Sequence, residues 1–231
     1  MAPPSLPSKR SDRKKSDKPD NRSRLLDAAE QLFSERGFDG CTLRDIADRA
    51  GVNQGMIHYF FRTKENVFRE AYFRRGADIT ANRLRLLDEE EARADGQPIK
   101  LARLLEIFLR PAYDVATSGP SGRAFLRMQA RLQLDNSPFS QEIRQALYDE
   151  SSQRFVQAFA RSMPGVPYEE VHWRFTFLRG AYQYVLANTG RLEAISGHRL
   201  SGEAFQQALH YLLPFLEAGL RSPASEAFTP K

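Results

Sequence analysis

The chain has 231 residues, of which 41% are hydrophobic, and a net charge of +5. That is enough apolar content for one large domain or for a small domain joined to a larger one. No run approaches ~18 apolar residues, and the first residues lack the long apolar stretch of a secretory signal, so a cytoplasmic protein with no membrane partner is expected. Cys41 is the sole cysteine, which excludes an internal disulfide framework and a multi-cysteine zinc site.

The charge is unevenly placed. Residues 1–64 hold 13 Lys/Arg against 9 Asp/Glu, whereas the remainder holds 21 against 20. A basic end on a near-neutral body suits a polyanion partner at that end. Residues 1–20, "MAPPSLPSKRSDRKKSDKPD", are rich in Pro, Ser and charge and have almost nothing to bury. They read as a disordered basic arm, expected to add affinity for phosphates without specificity.

From there on helical spacing prevails, strand signals are absent and no internal repeat is found. Leu25, Ala29, Leu32 and Phe33 form one apolar face, stopped by Gly37. Three short pieces follow, near 42–50, 54–61 and from 64 to about Glu90. Further helices fit 98–117, 121–134, 138–163, 167–189 and 201–219, which makes nine. The fold class is therefore all-α.

The segment "CTLRDIADRAGVNQGMIHYFFRTKE" reads as helix, turn, helix and the start of a third helix. Thr42 is placed to cap, with Asp45 three residues on able to reach back as in a capping box. Gly51 stands where the first helix must end in a left-handed turn. Asn53 caps the second helix. Ala47 and Gly55 are small enough to let two helix backbones approach. Val52, Ile57 and Phe61 point inward at helical spacing, which leaves Gln54, Met56, His58 and Tyr59 facing largely outward. An exposed amide, thioether and aromatic ring on a short helix suit the major groove, where Gln bonds the adenine edge and Met meets a thymine methyl. Thr63 caps the next helix. Lys64 in its first turn opposes the helix dipole, a conflict that a bound phosphate would offset.

On these residues the chain resembles the TetR/AcrR transcriptional regulators. The signature covers about 22–70, and "TLRDIADRAGVNQGMIHYFFRTKENVF" follows it nearly throughout. The resemblance implies an all-α homodimer with an N-terminal three-helix helix-turn-helix head and a C-terminal six-helix ligand-binding and dimerisation body. It implies double-stranded operator DNA, palindromic, as partner, and release from it by a small molecule. The domains then run 1–20 (arm), 21–68 (DNA-binding, motif about 42–61) and 69–222 (body). By the same resemblance Thr42 contacts a phosphate and Arg44 reads a base. Gln54, Gly55 and Met56 face bases, and Tyr59 and Lys64 touch backbone phosphates. His58 stands where the family most often has Tyr, and Arg62 where Pro or Lys is common.

The family pairs its last two long helices with those of a second copy. In 201–219 this singles out Phe205, Leu209, Leu212, Leu213 and Leu216, and in 167–189 Trp173, Phe177, Gly180, Ala181 and Tyr184; both faces otherwise read as core within the chain. Phe108, Tyr113, Phe125, Met128, Trp173, Phe177 and Tyr182 supply large side chains for an effector pocket or for ordinary core. Arg123, Arg127 and Arg131 recur every four residues, as a solvated face or as recognition of an anionic head group. Arg127 and Arg131 are the candidates for that role, and the expected effector is apolar or acyl-type.

Two other readings are an all-α enzyme with a basic tail and a redox-sensing regulator built on Cys41. No G-x-S-x-G, G-x-x-x-x-G-K-[ST] or H-E-x-x-H run is present, and the four histidines are far apart. No catalytic residue, metal site or cofactor is expected.

Overall fold

A computed structural model describes residues 20–226; the basic arm expected over 1–20 lies, but for Asp20, outside the described residues. Ten helices and no strand occur among the described residues: α1 Asn21–Arg36, α2 Leu43–Ala50, α3 Gln54–Phe61, α4 Lys64–Ala94, α5 Leu101–Thr117, α6 Pro120–Leu134, α7 Pro138–Ser162, α8 Tyr168–Ala187, α9 Arg191–Ile195 and α10 Phe205–Leu220. None of them is long and apolar enough to cross a membrane.

α1 to α3 pack on one another and on the first turns of α4 to form a head. α1 begins on Asp20, whose carboxylate accepts the Ser23 N–H at 2.7 Å. It buries Leu25, Leu26, Ala29, Leu32 and Phe33, a stripe repeating every three or four residues. α4 has 31 residues and, at about 1.5 Å each, is roughly 46 Å long. It runs four residues past the expected Glu90, because the Glu-rich stretch holds no breaker before Asp95 turns left-handed. Its inner stripe is Tyr72, Gly76, Ile79, Arg83 and Leu87.

α4 to α10 form the body, with α10 packed on α5 and α8. The expected six helices are seven, because a short α9 forms inside the stretch read as a break. α10 starts at Phe205 rather than 201: the Gly202 N–H is drawn to the Glu193 carboxylate at 2.6 Å, holding 201–204 in a turn. The interior is filled by rings: Phe108 meets Phe155, Phe175 and Tyr182 edge-on at 4.9, 5.2 and 5.7 Å between centres. Phe125 packs against Tyr72.

Two faces differ from expectation. Trp173 and Phe177, expected in a pocket wall or on the dimer face, point outward and are 56% and 64% exposed. Phe205, Leu209 and Leu216, expected to meet a second copy, are buried inside the chain, and Leu212 is half-buried. Burial of α10 against α5 takes the stripe that looked self-associating. The outward stripe of α8 is instead Trp173, Phe177, Gly180 and Tyr184, and that of α10 is Tyr211, Pro214 and Phe215.

Candidate nucleic-acid interface

α2 and α3 are set by their own termini. Thr42 Oγ1 accepts the Asp45 N–H at 3.2 Å, and Asp45 Oδ2 accepts the Thr42 N–H at 2.8 Å, the full capping box. The Thr42 hydroxyl donates to the same Oδ2 at 2.7 Å, and with the Thr42 N–H it holds the Asp45 carboxyl below its usual value. Gly51 ends α2 at φ 62°, ψ 39°, which only a residue without Cβ adopts freely. Arg24 Nη2 donates to the Ala50 carbonyl at 2.6 Å and fixes that end to α1. Asn53 caps α3 by accepting the Gly55 N–H at 2.8 Å. Gly55 is exposed, and within 4 Å of a Cβ placed there lies only the Asn53 carboxamide oxygen. The small residue therefore makes room for the cap, not for a second helix; Ala47 alone lies in the packed seam.

Ile57 and Phe61 are buried beneath α3, and Met56 is half-buried. Thr42, Arg44, Asn53, Gln54, Gly55, His58 and Tyr59 are all exposed. Tyr59 is 77% exposed, a ring left in water on a short helix. Arg44 makes only a loose pair with Asp48 at 3.7 Å. The side chains of Gln54 and His58 and the Tyr59 hydroxyl have no hydrogen-bond partner among the described residues, so one face of α3 is uncommitted.

Lys64 departs from expectation. Its ammonium reaches back to the carbonyls of Phe38 and Cys41 at 2.9 and 3.2 Å and sits 4.3 Å from the centre of the Phe38 ring. The clash with the helix dipole is thus offset inside the head, by carbonyls and a ring face, with no phosphate required. Arg62, exposed between α3 and α4, has φ 66°, ψ −51°, and the Thr63 N–H donates to the Phe61 carbonyl at 2.8 Å. That is a γ-turn of positive φ, a strained shape for a residue with a Cβ.

Cys41 is buried, and burial pushes its thiol above the ordinary value. A redox sensor needs an accessible, acidic thiol. Cys41 is a packed residue instead.

Sequence reasoning missed the joint between head and body. Glu30 of α1 is 0% exposed. It accepts from Arg74 at 2.6 Å, from Arg75 at 3.0 Å and from Ser121 at 3.1 Å, joining α1 to α4 and α6. A charge between Leu26 and Phe33 on an apolar stripe was the available signal. Arg131 also serves this joint. Its Nη2 donates to the Glu35 carbonyl at 3.3 Å, and it lines, with Met128, Phe33, Phe38, Phe68 and Phe139, a cleft of about 520 Å³ between head and body. Arg127 faces the same way, and its charge helps hold Glu35 below the usual carboxylate value, after Arg49 and Arg36. Neither arginine points into the body core. Phe108, Phe125 and Tyr182 are buried there, and Met128 is buried beside the cleft. The cavity that reaches Phe108 and Tyr182 is small, about 10 Å³, and its other walls are largely polar.

Residues 25–71 match the model of bacterial regulatory proteins of the tetR family, and residues 106–219 match the Tetracyclin repressor-like C-terminal domain. The chain belongs to the TetR family. Among curated relatives, the HTH-type transcriptional repressor KstR2 of Rhodococcus jostii is 46% identical over 55 residues, 24% of this chain and 27% of that protein. The regulator AcrR of Shigella flexneri is 32% identical over 84 residues, 36% and 37% of the two chains. The matched stretch thus spans between a quarter and two-fifths of these relatives' length. The TetR fold extends over nearly the whole molecule. The ketosteroid transcriptional regulator KstR2 of Mycobacterium tuberculosis superposes with a TM-score of 0.60 at 19% identity, covering 85% of this chain and 94% of that one. AmtR of Mycobacterium smegmatis does so with 0.61 at 17%, covering 91% of each.

Proposed function

We propose that this TetR-family chain is a ligand-responsive transcriptional repressor that binds a palindromic operator as a homodimer. One observation carries the reading: the uncommitted face of α3, with Gln54, His58 and Tyr59 free, set on a buried Ile57 and Phe61. Gln54 reads a base edge at two points, and Met56 and Gly55 let the helix start sit close to the groove floor. Thr42, Arg44, Tyr59 and Arg62 meet the flanking phosphates or bases, and Asn53 sets the start of the helix. Lys64 acts chiefly by holding the 38–41 loop, with one ammonium proton left for a phosphate. Repression, rather than activation, follows the naming of the relatives that share this stretch.

The division is a head to about residue 68 and a body from 69 to 222. The outward stripes of α8 and α10 form the dimer face: Trp173, Phe177, Gly180, Tyr184, Tyr211 and Phe215. So many large rings in water on two adjacent helices mark an interaction surface. A two-fold protein then presents two copies of α3 roughly 34–36 Å apart, one turn of DNA. α4 begins at the head and ends in the body, so it carries a change in the body to that spacing. A ligand releases DNA only if it prefers the arrangement that does not fit the operator.

The test is selection of a site from random duplexes with the full chain, followed by titration at physiological salt. A palindromic consensus bound far more tightly than random DNA is expected. Equal affinity for both would sink the reading. Phe215→Arg should give monomers in sedimentation and lose operator binding while keeping its helical signal.

A further inference from the structure

Arg83 and Arg174 are both nearly buried, and they differ in what balances them. Arg174 pairs with Glu170 at 2.7 Å and donates to the carbonyls of Leu220, Ser222 and Pro223. Arg83 donates from Nε to the Phe108 carbonyl at 2.7 Å and loosely from Nη2 to the Tyr182 hydroxyl at 3.4 Å. Its guanidinium lies 4.1 Å from the centre of the Phe108 ring. Among the described residues no carboxylate pairs with it. Buried charges are normally paired, because desolvation is otherwise uncompensated.

The unpaired charge borders the cavity of about 10 Å³, room for about one water molecule. Gln133, Tyr148, Arg179 and Gln183 line that cavity and also a second, outer cleft of about 370 Å³ between α6, α7 and α8. The outer cleft adds Arg144 and Asp149. The two spaces share these four walls, and their linings together carry three arginines against one carboxylate. Its walls are held in place: Gln129 donates to the Tyr148 hydroxyl at 2.9 Å, Tyr148 bonds Tyr72 at 2.7 Å, and Arg179 donates to Gln133 at 2.8 Å. The positive field is felt within. Burial alone would raise the Tyr182 phenol, yet the charges of Arg83 and Arg179 hold it below its ordinary value.

We propose that this notch is the effector site and that its ligand is a small carboxylate, gripped by Arg179 at the mouth and neutralising Arg83 at the floor. The proposal rests on the reading of the body as ligand-responsive. The outer cleft falls in the size range of small-molecule sites. The floor offers one guanidinium and space for about one water, so a monoanion seated in the outer cleft meets Arg83 across that water. A phosphate dianion would bring more charge than the floor balances. Because Arg83 is on α4 and Arg179 on α8, the ligand ties the helix that reaches the head to the helix that carries the outward aromatic face, whose Gly180 also lines the outer cleft.

The full chain is titrated with benzoate and hexanoate, with benzamide and hexanamide as neutral matches and with inorganic phosphate. Melting temperature, calorimetric affinity and operator binding are read on the same samples. The carboxylates should raise the melting temperature and weaken operator binding, and the amides and phosphate should do neither. Arg179→Gln should weaken carboxylate binding by about tenfold or more, the usual effect of losing a hydrogen bond to a charged group. Arg83→Met should abolish it while leaving the unliganded melting temperature equal or higher, since an unpaired buried charge is gone. The proposal is overturned if neither carboxylate binds, if amides or phosphate do as well, or if Arg83→Met keeps the affinity. It is overturned too if Arg83→Met unfolds the protein while Arg179→Gln binds normally, which makes Arg83 structural. Failure to bind any operator without ligand strikes the regulator reading instead; normal operator binding with no carboxylate response strikes only this site.

Discussion

Between Leu43 and Phe61 every buried side chain is apolar: Ile46, Ala47, Ala50, Ile57 and Phe61. The polar groups there cap helix ends or face water. The core between α4 and α8 is arranged the other way. Tyr72, Gln129 and Tyr148 are buried and bonded to one another, as are Arg83 and Tyr182, while Trp173, Phe177, Tyr211 and Phe215 stand outside. The contrast follows from what each part meets. Reading a duplex needs free donors and acceptors on the surface of a stiff element. Sensing a small molecule needs them inside, where a low dielectric makes each one count.

The two parts are coupled through Glu30, and removing it should have the largest effect on their relation. Glu30→Ala leaves Arg75 without a carboxylate and Arg74 with only the half-exposed Asp27 at 2.7 Å, a change that costs about 3–5 kcal/mol for a fully buried pair and less here, where both guanidinium groups are partly exposed. Urea unfolding of the variant should show that loss, with α1 to α3 melting ahead of α4 to α10. A single transition at the wild-type midpoint would mean that the cluster carries nothing between them.

Gln54→Ala sharpens the contrast from the side of the head. It should relax discrimination at one base pair by about 1–3 kcal/mol and leave unfolding unchanged, because Gln54 is exposed and has no side-chain partner among the described residues. Lys64→Ala should do the reverse. It strips two carbonyls of their donor and so lowers stability by about 1–2 kcal/mol, with DNA affinity falling equally on all sequences. If the two variants behaved alike, α3 would not be a surface kept free of structural duty.

Arg62→Gly probes the strain stored between α3 and α4. Glycine adopts φ 66° without steric cost, so the variant should be more stable by about 1 kcal/mol in thermal unfolding. It should also bind DNA more weakly at all sequences, through loss of one positive charge beside the phosphates. A drop in stability would show that the arginine side chain, not the backbone, governs the turn.

The head was legible in the sequence because its structure is local. A capping box four residues long and one left-handed glycine settle α2 and its turn, and the inward pair Ile57 and Phe61 settles the outward set. The body was legible as helices and not as faces. An aromatic every four residues, such as Trp173 and Phe177, does not say whether it meets its own chain or another. The apolar stripe of α10 was credited to a second copy, though α5 covers it. Charges inside apolar stripes were the readable clue. Arg83 falls between Ile79 and Leu87 on the inner side of α4, as Glu30 does between Leu26 and Phe33 on α1. Lys64 was placed correctly at a helix start, but its return to Phe38 depends on a loop 26 residues away and on no local rule.

The smallest expected effect separates the two parts by pH. Carboxyls held below their usual value bind fewer protons folded than unfolded, so they contribute stability that is complete above the unfolded value, about 4, and fades as pH falls through the lowered folded one. The head carries Glu35, held by Arg49, and Asp45, held by Thr42. The body carries Glu90, held by Arg103, Asp135, held by Ser140 and Ser137, and Glu170, held by Arg174. All lie near the surface, where solvent screens each contribution. Stability should therefore be flat above about pH 5 and decline below about pH 4. Asp135→Asn should blunt the decline for signals from the body and leave those from Tyr59 in the head unchanged. Thermal unfolding followed at several pH values, by tryptophan fluorescence for Trp173 and by DNA binding for α3, reads the two separately. A decline beginning near pH 6.5 would instead mean that groups other than these carboxyls carry the acid response.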